Sequence, residues 1–310
     1  MVELALYHPE FGFYETGGAA GRSGDFLTSP EVGPLFGAVL ARALDTWWAE
    51  LGRPAPFTVV EAGAGRGTLA KAILAAAPAC GPALRYLAVE RSSALRAQHP
   101  EGVESAANLP DEPFAGVVIA NELLDNLPFG LRERTATGWA EVHVDAGLAE
   151  VLVPVDDDLE APAGARVPVQ RAAGEWVAAA QRLAPRVVVI DYADTTPALA
   201  RRPWTDWVRT YRGHSRGTHP LADLGGQDIT CEVAVDQLPP ATANRSQAEF
   251  LRSFGIDELA AEARQAWHER AHIGDLQALR ARSRVHEAAA LTDEAGLGAF
   301  RVLEWASPGR

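Results

Sequence analysis

This 310-residue chain is short of cysteine, of positive charge and of long apolar runs. Cys80 and Cys231 stand far apart and form no CxxC or metal-ligand pattern, which fits a reducing cytoplasm. No apolar run approaches the ~20 residues needed to span a bilayer, so membrane insertion is not expected. The opening stretch MVELALYHPE has no basic n-region or long apolar h-region and is poor in Arg and Ser. Neither a signal peptide nor a transit peptide is therefore expected, and the expected location is cytoplasmic. No internal repeat or low-complexity tail is visible. The formal charge of −13 repels phosphate backbones, so no nucleic-acid partner is expected. Basic residues do gather at Arg201-Arg202 and at Arg280-Arg282-Arg284, but without interleaved aromatics, and both read as solvated surface. The acidity leans toward a basic protein substrate.

Hydrophobic residues at 47% and charged residues at 22% give an ordinary globular balance. The length suits one large domain with insertions or two modest ones. Ser29-Pro30-Glu31 reads as a helix start, with Ser29 as N-cap and Pro30 at the first position. Leu35, Phe36, Val39, Leu40, Ala43, Leu44 and Trp47 then follow helical spacing. From residue 57 strands alternate with helices. The runs 57–60, 86–89, 116–120 and 187–190 are nearly continuously apolar, the pattern of a parallel sheet covered on both faces. A hairpin at about 139–155 interrupts this order. Residues 195–250, rich in Pro, Gly and Arg, read as long loops with short elements; helices are expected near 257–270 and 275–290, and a closing strand at 299–305. The expected fold is α/β, a Rossmann-like sheet with helices on both faces. Its expected parts are an N-terminal loop and helical cap (1–53), a core (54–200), a substrate-side insertion with helices (201–290) and a closing strand (291–310).

The most informative segment is Val59-Val60-Glu61-Ala62-Gly63-Ala64-Gly65-Arg66-Gly67-Thr68, where a strand ends and a helix begins. Glycines there let the backbone turn tightly and approach a ligand. A dinucleotide fold uses G-x-G-x-x-G to seat a pyrophosphate. Here the third glycine, Gly67, comes one position early, and an acid, Glu61, precedes the first. This arrangement suits S-adenosylmethionine, which has no phosphates but carries an ammonium that Glu61 can help bind. The second strand ends in Glu90, placed to accept the ribose hydroxyls. Asn108, near the third strand, is either an adenine contact or a polar turn residue.

Three segments in this order resemble the MidA family: 24–31 (GDFLTSPE), 61–68 (EAGAGRGT) and 120–128 (ANELLDNLP). Further matches run through Ile190-Asp191-Tyr192, Tyr211-Arg212-Gly213-His214, Gln227-Asp228-Ile229-Thr230 and Gln247-Ala248-Glu249-Phe250-Leu251, so the resemblance covers nearly the whole chain. The resemblance implies a class I methyltransferase fold and S-adenosylmethionine as cofactor. It also implies protein-arginine methylation, since mitochondrial members of the family assist assembly of respiratory complex I; a NADH–quinone oxidoreductase subunit is the implied partner. Two departures stand out. The family usually carries a further helical segment before Leu4-Ala5-Leu6-Tyr7-His8-Pro9. After Ile229-Thr230 this chain reads Cys231-Glu232-Val233-Ala234-Val235, without the family's Asp and Phe.

Arginine is a difficult nucleophile because its guanidinium stays protonated, and carboxylates that grip it bidentately can aim one nitrogen at the methyl group. Glu122 and Asp125 follow the strand ending at Ala120, at the edge where open α/β sheets bind ligands. Their i, i+3 spacing puts both on one side of a helical turn. The plain alternative has Asn121 capping a helix whose positive end Glu122 and Asp125 serve. Asp25, Thr28 and Asn121 join the expected cofactor side; Tyr211, His214 and Asp228 join the expected substrate side. No metal is expected, because His214 and His219 have no carboxylate or Cys at ligand spacing. A small-molecule methyltransferase and a non-catalytic assembly chaperone that keeps the cofactor pocket are the competing readings.

Overall fold

The apolar runs read from the sequence become the middle of a parallel sheet. In the computed structural model, which describes residues 1–15, 28–212 and 215–307, the strands are β1 (Phe57–Ala62), β2 (Leu84–Val89), β3 (Glu104–Ala106), β4 (Gly116–Asn121), β5 (Arg186–Asp191), β6 (Ala243–Ser246) and β7 (Arg301–Ala306). They form one sheet in the order β6-β7-β5-β4-β1-β2-β3. β1 pairs in parallel with β2 and β4, β4 with β5, and β2 with β3, while β6 runs antiparallel to β7. Every side chain of β1 is buried, as are the first five of β4 and the last five of β5. Burial on both faces explains why these strands show apolar runs rather than alternation. Gly116 sets the closest approach: a Cβ there would lie 1.7 Å from the Thr58 carbonyl oxygen of β1. Asp25 and His214, both expected at the site, lie outside the described residues.

Contacts divide the chain into two compact units. One comprises Phe26–Asn121, Gln181–Ile190 and Thr242–Arg310 and holds the sheet. Its helices include α1 (Pro34–Glu50), α2 (Thr68–Ala75), α3 (Gln247–Ser253), α4 (Ile256–Arg270) and α5 (Leu276–Leu291). Leu35, Phe36, Val39, Leu40, Ala43, Leu44 and Trp47 of α1 are all buried, as their spacing requires. The expected helix start needs correction. Ser29 is not an N-cap: it is the buried first residue of a separate one-turn helix, Ser29–Val32, and its hydroxyl donates to Oε1 of Gln247 at 2.8 Å. That turn stops at Gly33 because Pro34 lacks an N–H and restricts the residue before it. The cap of α1 comes instead from Glu287 of α5, whose Oε2 accepts the Leu35 N–H at 2.9 Å.

The other unit comprises Met1–Asp25, Glu122–Ala180 and Asp191–Ala241. The hairpin expected at 139–155 is there, as Trp139–Val144 against Glu150–Val155, but it belongs to a four-stranded antiparallel sheet completed by Gly130–Arg134 and Arg166–Val169. The polar GLRER and the Pro-containing RVPV segments carry no strand signature, so sequence pattern shows only half of this sheet. The loop-like region also holds a three-stranded sheet, Ser215–Arg216, Val208–Arg212 and Asp228–Cys231. The helix Val2–Tyr7 packs Val2, Ala5 and Leu6 into one apolar cluster with Trp207, Ile229 and Cys231.

Glu287 is 4% exposed and also accepts the Ser283 hydroxyl at 2.9 Å. Glu287→Ala strips the only side-chain acceptor seen at the start of α1 among the described residues, and should cost about 2 kcal/mol. Urea unfolding measures this; an unchanged midpoint would show that the cap is dispensable.

Candidate cofactor and acceptor sites

The cofactor motif sits between β1 and α2. Gly63, Gly65 and Gly67 all have positive φ, at 71°, 55° and 76°, a conformation that side chains other than glycine rarely adopt. A Cβ on Gly67 would meet Pro100 at 2.7 Å, whereas a Cβ on Gly65 would meet no heavy atom within 4 Å. Gly67 is thus needed for packing, and Gly65 borders open space that a ligand can fill. The loop is tied to β2 through Glu90, whose Oε2 accepts the Gly65 N–H and whose Oε1 accepts the Ser92 N–H, each at 2.9 Å. Each oxygen keeps a further lone pair, so the carboxylate can still accept hydroxyl donors. His99 completes the arrangement: its Nε2 lies 3.0 Å from the Gly65 carbonyl and its Nδ1 2.8 Å from the Ser105 hydroxyl.

Glu61 lies on β1 and is buried, with the Tyr86 hydroxyl donating to its Oε2 at 2.7 Å. Burial pushes its pKa up to about 7, with the hydrogen bonds from Tyr86 and the Ala70 backbone pulling the other way. Thr28 precedes the Ser29–Val32 turn and accepts the Glu31 and Val32 N–H groups through its backbone carbonyl. Asn108 is exposed just past β3, the edge strand. Asn121 ends β4, in register with Ile190 of β5. The structure therefore brings Glu90 and the glycine loop into contact, and leaves Asn108 without a hydrogen-bond partner among the described residues.

The other unit assembles the carboxylates. Glu122 has φ 52°, an uncommon left-handed conformation for a residue with a side chain. The short 3-10 turn Leu124–Asn126 follows it. Asp191, fully buried, accepts the Leu124 N–H at 2.9 Å and the Asp125 N–H at 3.3 Å through Oδ2, and the Tyr192 N–H at 2.9 Å through Oδ1. The Tyr192 hydroxyl donates to Oε2 of Glu122 at 3.0 Å. Asp228 accepts from the Tyr14 hydroxyl at 2.9 Å and from the Asn126 amide at 3.1 Å. Tyr211 is its partner across the strands.

The electrostatics are those of crowded, buried acids. Burial, then repulsion by Asp191, Glu122 and Asp228, raises the Asp125 pKa well above the usual carboxylate range. Burial and then Glu122 push Asp191 up to about 8, and burial pushes Asp228 up to about 6. Oδ1 of Asp125 is buried with no hydrogen-bond partner among the described residues. Glu122, Asp125 and Asp228 thus lie in one cluster, with Tyr211 opposite Asp228 across the strands. Sequence reasoning missed Asp191, Tyr192 and Tyr14. The rule that pointed to Glu90, an acid at the carboxyl end of a buried strand, also points to Asp191 at the end of β5. Tyr14 reaches Asp228 only through the tertiary fold. The unusual Glu232 pairs with Arg202 and, at 3.0 Å, with Arg209. No group of three or more His, Cys, Asp or Glu among the described residues is disposed to hold a metal ion.

A family model for S-adenosyl-L-methionine-dependent methyltransferases matches residues 39–254, and the chain belongs to that family. Among solved structures, a Burkholderia thailandensis COG1565 superfamily member bound to S-adenosyl-homocysteine is similar over 98% of this chain and 86% of its own, with TM-score 0.79 and 29% identity. The mitochondrial protein arginine methyltransferase NDUFAF7 of Mus musculus is 27% identical over 83% of this chain and 70% of its own length. Its Drosophila melanogaster homologue is 45% identical over a 69-residue segment, 22% of this chain and 16% of that protein. S-adenosylmethionine is therefore the cofactor, and the open space beside Gly65 and the remaining acceptor capacity of Glu90 fit it.

Two outcomes test this. Gly65→Val places a branched side chain at φ 55° in the open space and should abolish S-adenosylmethionine binding in calorimetry; unchanged affinity would remove the loop from the site. Glu61, with its folded pKa raised, favours folding most when protonated; that contribution is full below about pH 4.5 and lost as pH rises through about 7. Glu61→Gln should consequently melt higher than the parent at pH 8, by up to roughly 3 kcal/mol in stability, with the gap closing toward pH 4.5. A gap independent of pH would mean that Glu61 does not titrate as its burial requires.

Proposed function

We propose that this methyltransferase transfers its methyl group to a guanidinium nitrogen of an arginine in a protein partner, with Glu122 and Asp125 gripping the guanidinium. The observation that carries this reading is Asp125, buried with one carboxylate oxygen unpartnered among the described residues and crowded by Glu122, Asp191 and Asp228. Clustered buried carboxylates are costly by themselves and are relieved by a cation. A guanidinium presents five N–H donors in a plane and matches carboxylates two at a time, which a compact ammonium does not. The relatives named protein arginine methyltransferases support the same acceptor, and the family resemblance suggests a respiratory complex I-type subunit as the partner.

On the cofactor side, the roles proposed are the ribose hydroxyls for Glu90 and the ammonium for Glu61. Thr28, Asn108 and Asn121 complete that side in this reading. When bound, S-adenosylmethionine supplies a methyl group already activated by its positive sulfur. The chain's own residues have to orient the nitrogen and take up a proton. Tyr192 holds Glu122, and Asp191 holds the turn that carries Asp125. The alkylated nitrogen sheds one proton, and carboxyls whose burial favours the neutral form are suited to hold it. Asp228 and Tyr211 belong to the substrate side of the same cluster.

Glu122→Gln should keep S-adenosylmethionine affinity and lower methyl transfer by about 10- to 100-fold, the worth of a charge-assisted hydrogen bond. The measurement is isotope transfer from labelled cofactor into an extract lacking this gene, with mapping of the labelled site. Label on a metabolite or a lysine, or a parental rate in the variant, would refute the arginine clamp.

A further inference from the structure

One basic cluster is left unused by the methyl-transfer reading. Arg280, Arg282 and Arg284 lie on α5, near the turn that joins it to α4. Beside them stand three large apolar side chains in water: Ile273 is 54% exposed, Leu276 71% and Leu279 53%. Ala278, Ala281 and Ala288 of α5 are buried where the helix packs on its neighbours. Helical spacing puts Leu276, Leu279 and Arg280 together on one exposed face, with the exposed Arg284 one turn beyond Arg280. Exposed apolar side chains gathered in one place mark a contact surface rather than scattered surface residues.

The charge around this tip is opposite to that of the chain. The protein carries −13 overall, yet between Arg264 and His286 its only acids are Glu269 and Asp275. Asp275 is already engaged: it caps α5 by accepting the Ala278 N–H and forms an ion pair with Arg270. The three arginines of α5 are exposed, and Arg282 lies over the Trp267 ring at 5.6 Å, which holds the two helices' charges to the same end.

We infer that the tip of the α4–α5 hairpin docks on an anionic lipid surface, with Ile273, Leu276 and Leu279 entering the headgroup region and Arg280 and Arg284 meeting lipid phosphates. Charge complementarity selects a negative surface, and the apolar tip selects among negative surfaces. A nucleic acid or a polyanion satisfies the arginines but leaves the three apolar side chains in water. A bilayer interface accommodates both, because the helix ends in apolar residues with its cations one to two turns further along. No helix of the described residues is long and apolar enough to cross a membrane, so the contact is peripheral.

The test is sedimentation of the full chain with vesicles of phosphatidylcholine alone and of phosphatidylcholine with phosphatidylglycerol. The chain should sediment with the mixed vesicles and not with the neutral ones, and high salt should release it. The double variants Leu276→Ser/Leu279→Ser and Arg280→Glu/Arg284→Glu should each weaken binding at least about tenfold. Calorimetric S-adenosylmethionine binding should stay at the parental value in both, which shows that they are folded. Absence of vesicle binding by the parent chain overturns the inference. So does parental binding by the Leu276→Ser/Leu279→Ser variant, since charge alone would then explain the contact. Capture by heparin without vesicle binding overturns it too, in favour of a soluble polyanion.

Discussion

Asp191 is the residue on which the carboxylate cluster depends. It ends β5, one position beyond the rung that pairs Ile190 with Asn121. From there its carboxylate reaches the backbone N–H groups of Leu124 and Asp125. Those bonds hold a 3-10 turn that follows a residue with positive φ, a combination the local sequence would not keep by itself. A backbone held by a side chain rather than by a long helix can present Glu122 and Asp125 without the regular spacing of a helix face. The same carboxylate adds negative charge beside Asp125, so the residue that shapes the cluster also makes it receptive to a cation.

The cofactor side is built on a different economy. Glu90 does its structural work by joining the glycine loop to the residue after next in the chain, and it uses one lone pair on each oxygen to do so. Glu61 is locked against Tyr86 in the interior, where its charge is disfavoured. A methionyl ammonium close to Glu61 would favour the ionised form that burial resists. Cofactor binding and proton release are therefore coupled in this proposal, and Glu61 contributes more as a charge that appears on binding than as a standing anion.

Charge is unevenly placed along the chain. The acids crowd one another around Glu122, Asp125, Asp191 and Asp228, while the α4–α5 tip is basic and apolar. In the first case burial raises the cost of each charge, which in the proposed reading the substrate's guanidinium offsets. In the second, exposure keeps the charges solvated, and their neighbours Leu276 and Leu279 bear the cost of standing in water.

The sequence by itself determined the parts governed by short-range periodicity. The apolar runs at 57–60, 116–120 and 187–190 read as buried parallel strands and are so, and Glu61–Gly67 reads as a strand–helix turn whose three glycines adopt the positive φ that glycine permits. Glu122 and Asp125 were legible as acids beyond a strand end. The helix break at Gly33 was not, since the cap of α1 is a glutamate 252 residues away in sequence. The polar and Pro-containing strands at 130–134 and 166–169 take their conformation from pairing with neighbours, which no local pattern encodes. Only the tertiary structure decided that Asp191 would hold the 124–126 turn and that Tyr14 would reach Asp228. Hydrogen bonds between distant residues depend on where the packed strands end, and packing is a property of the whole chain.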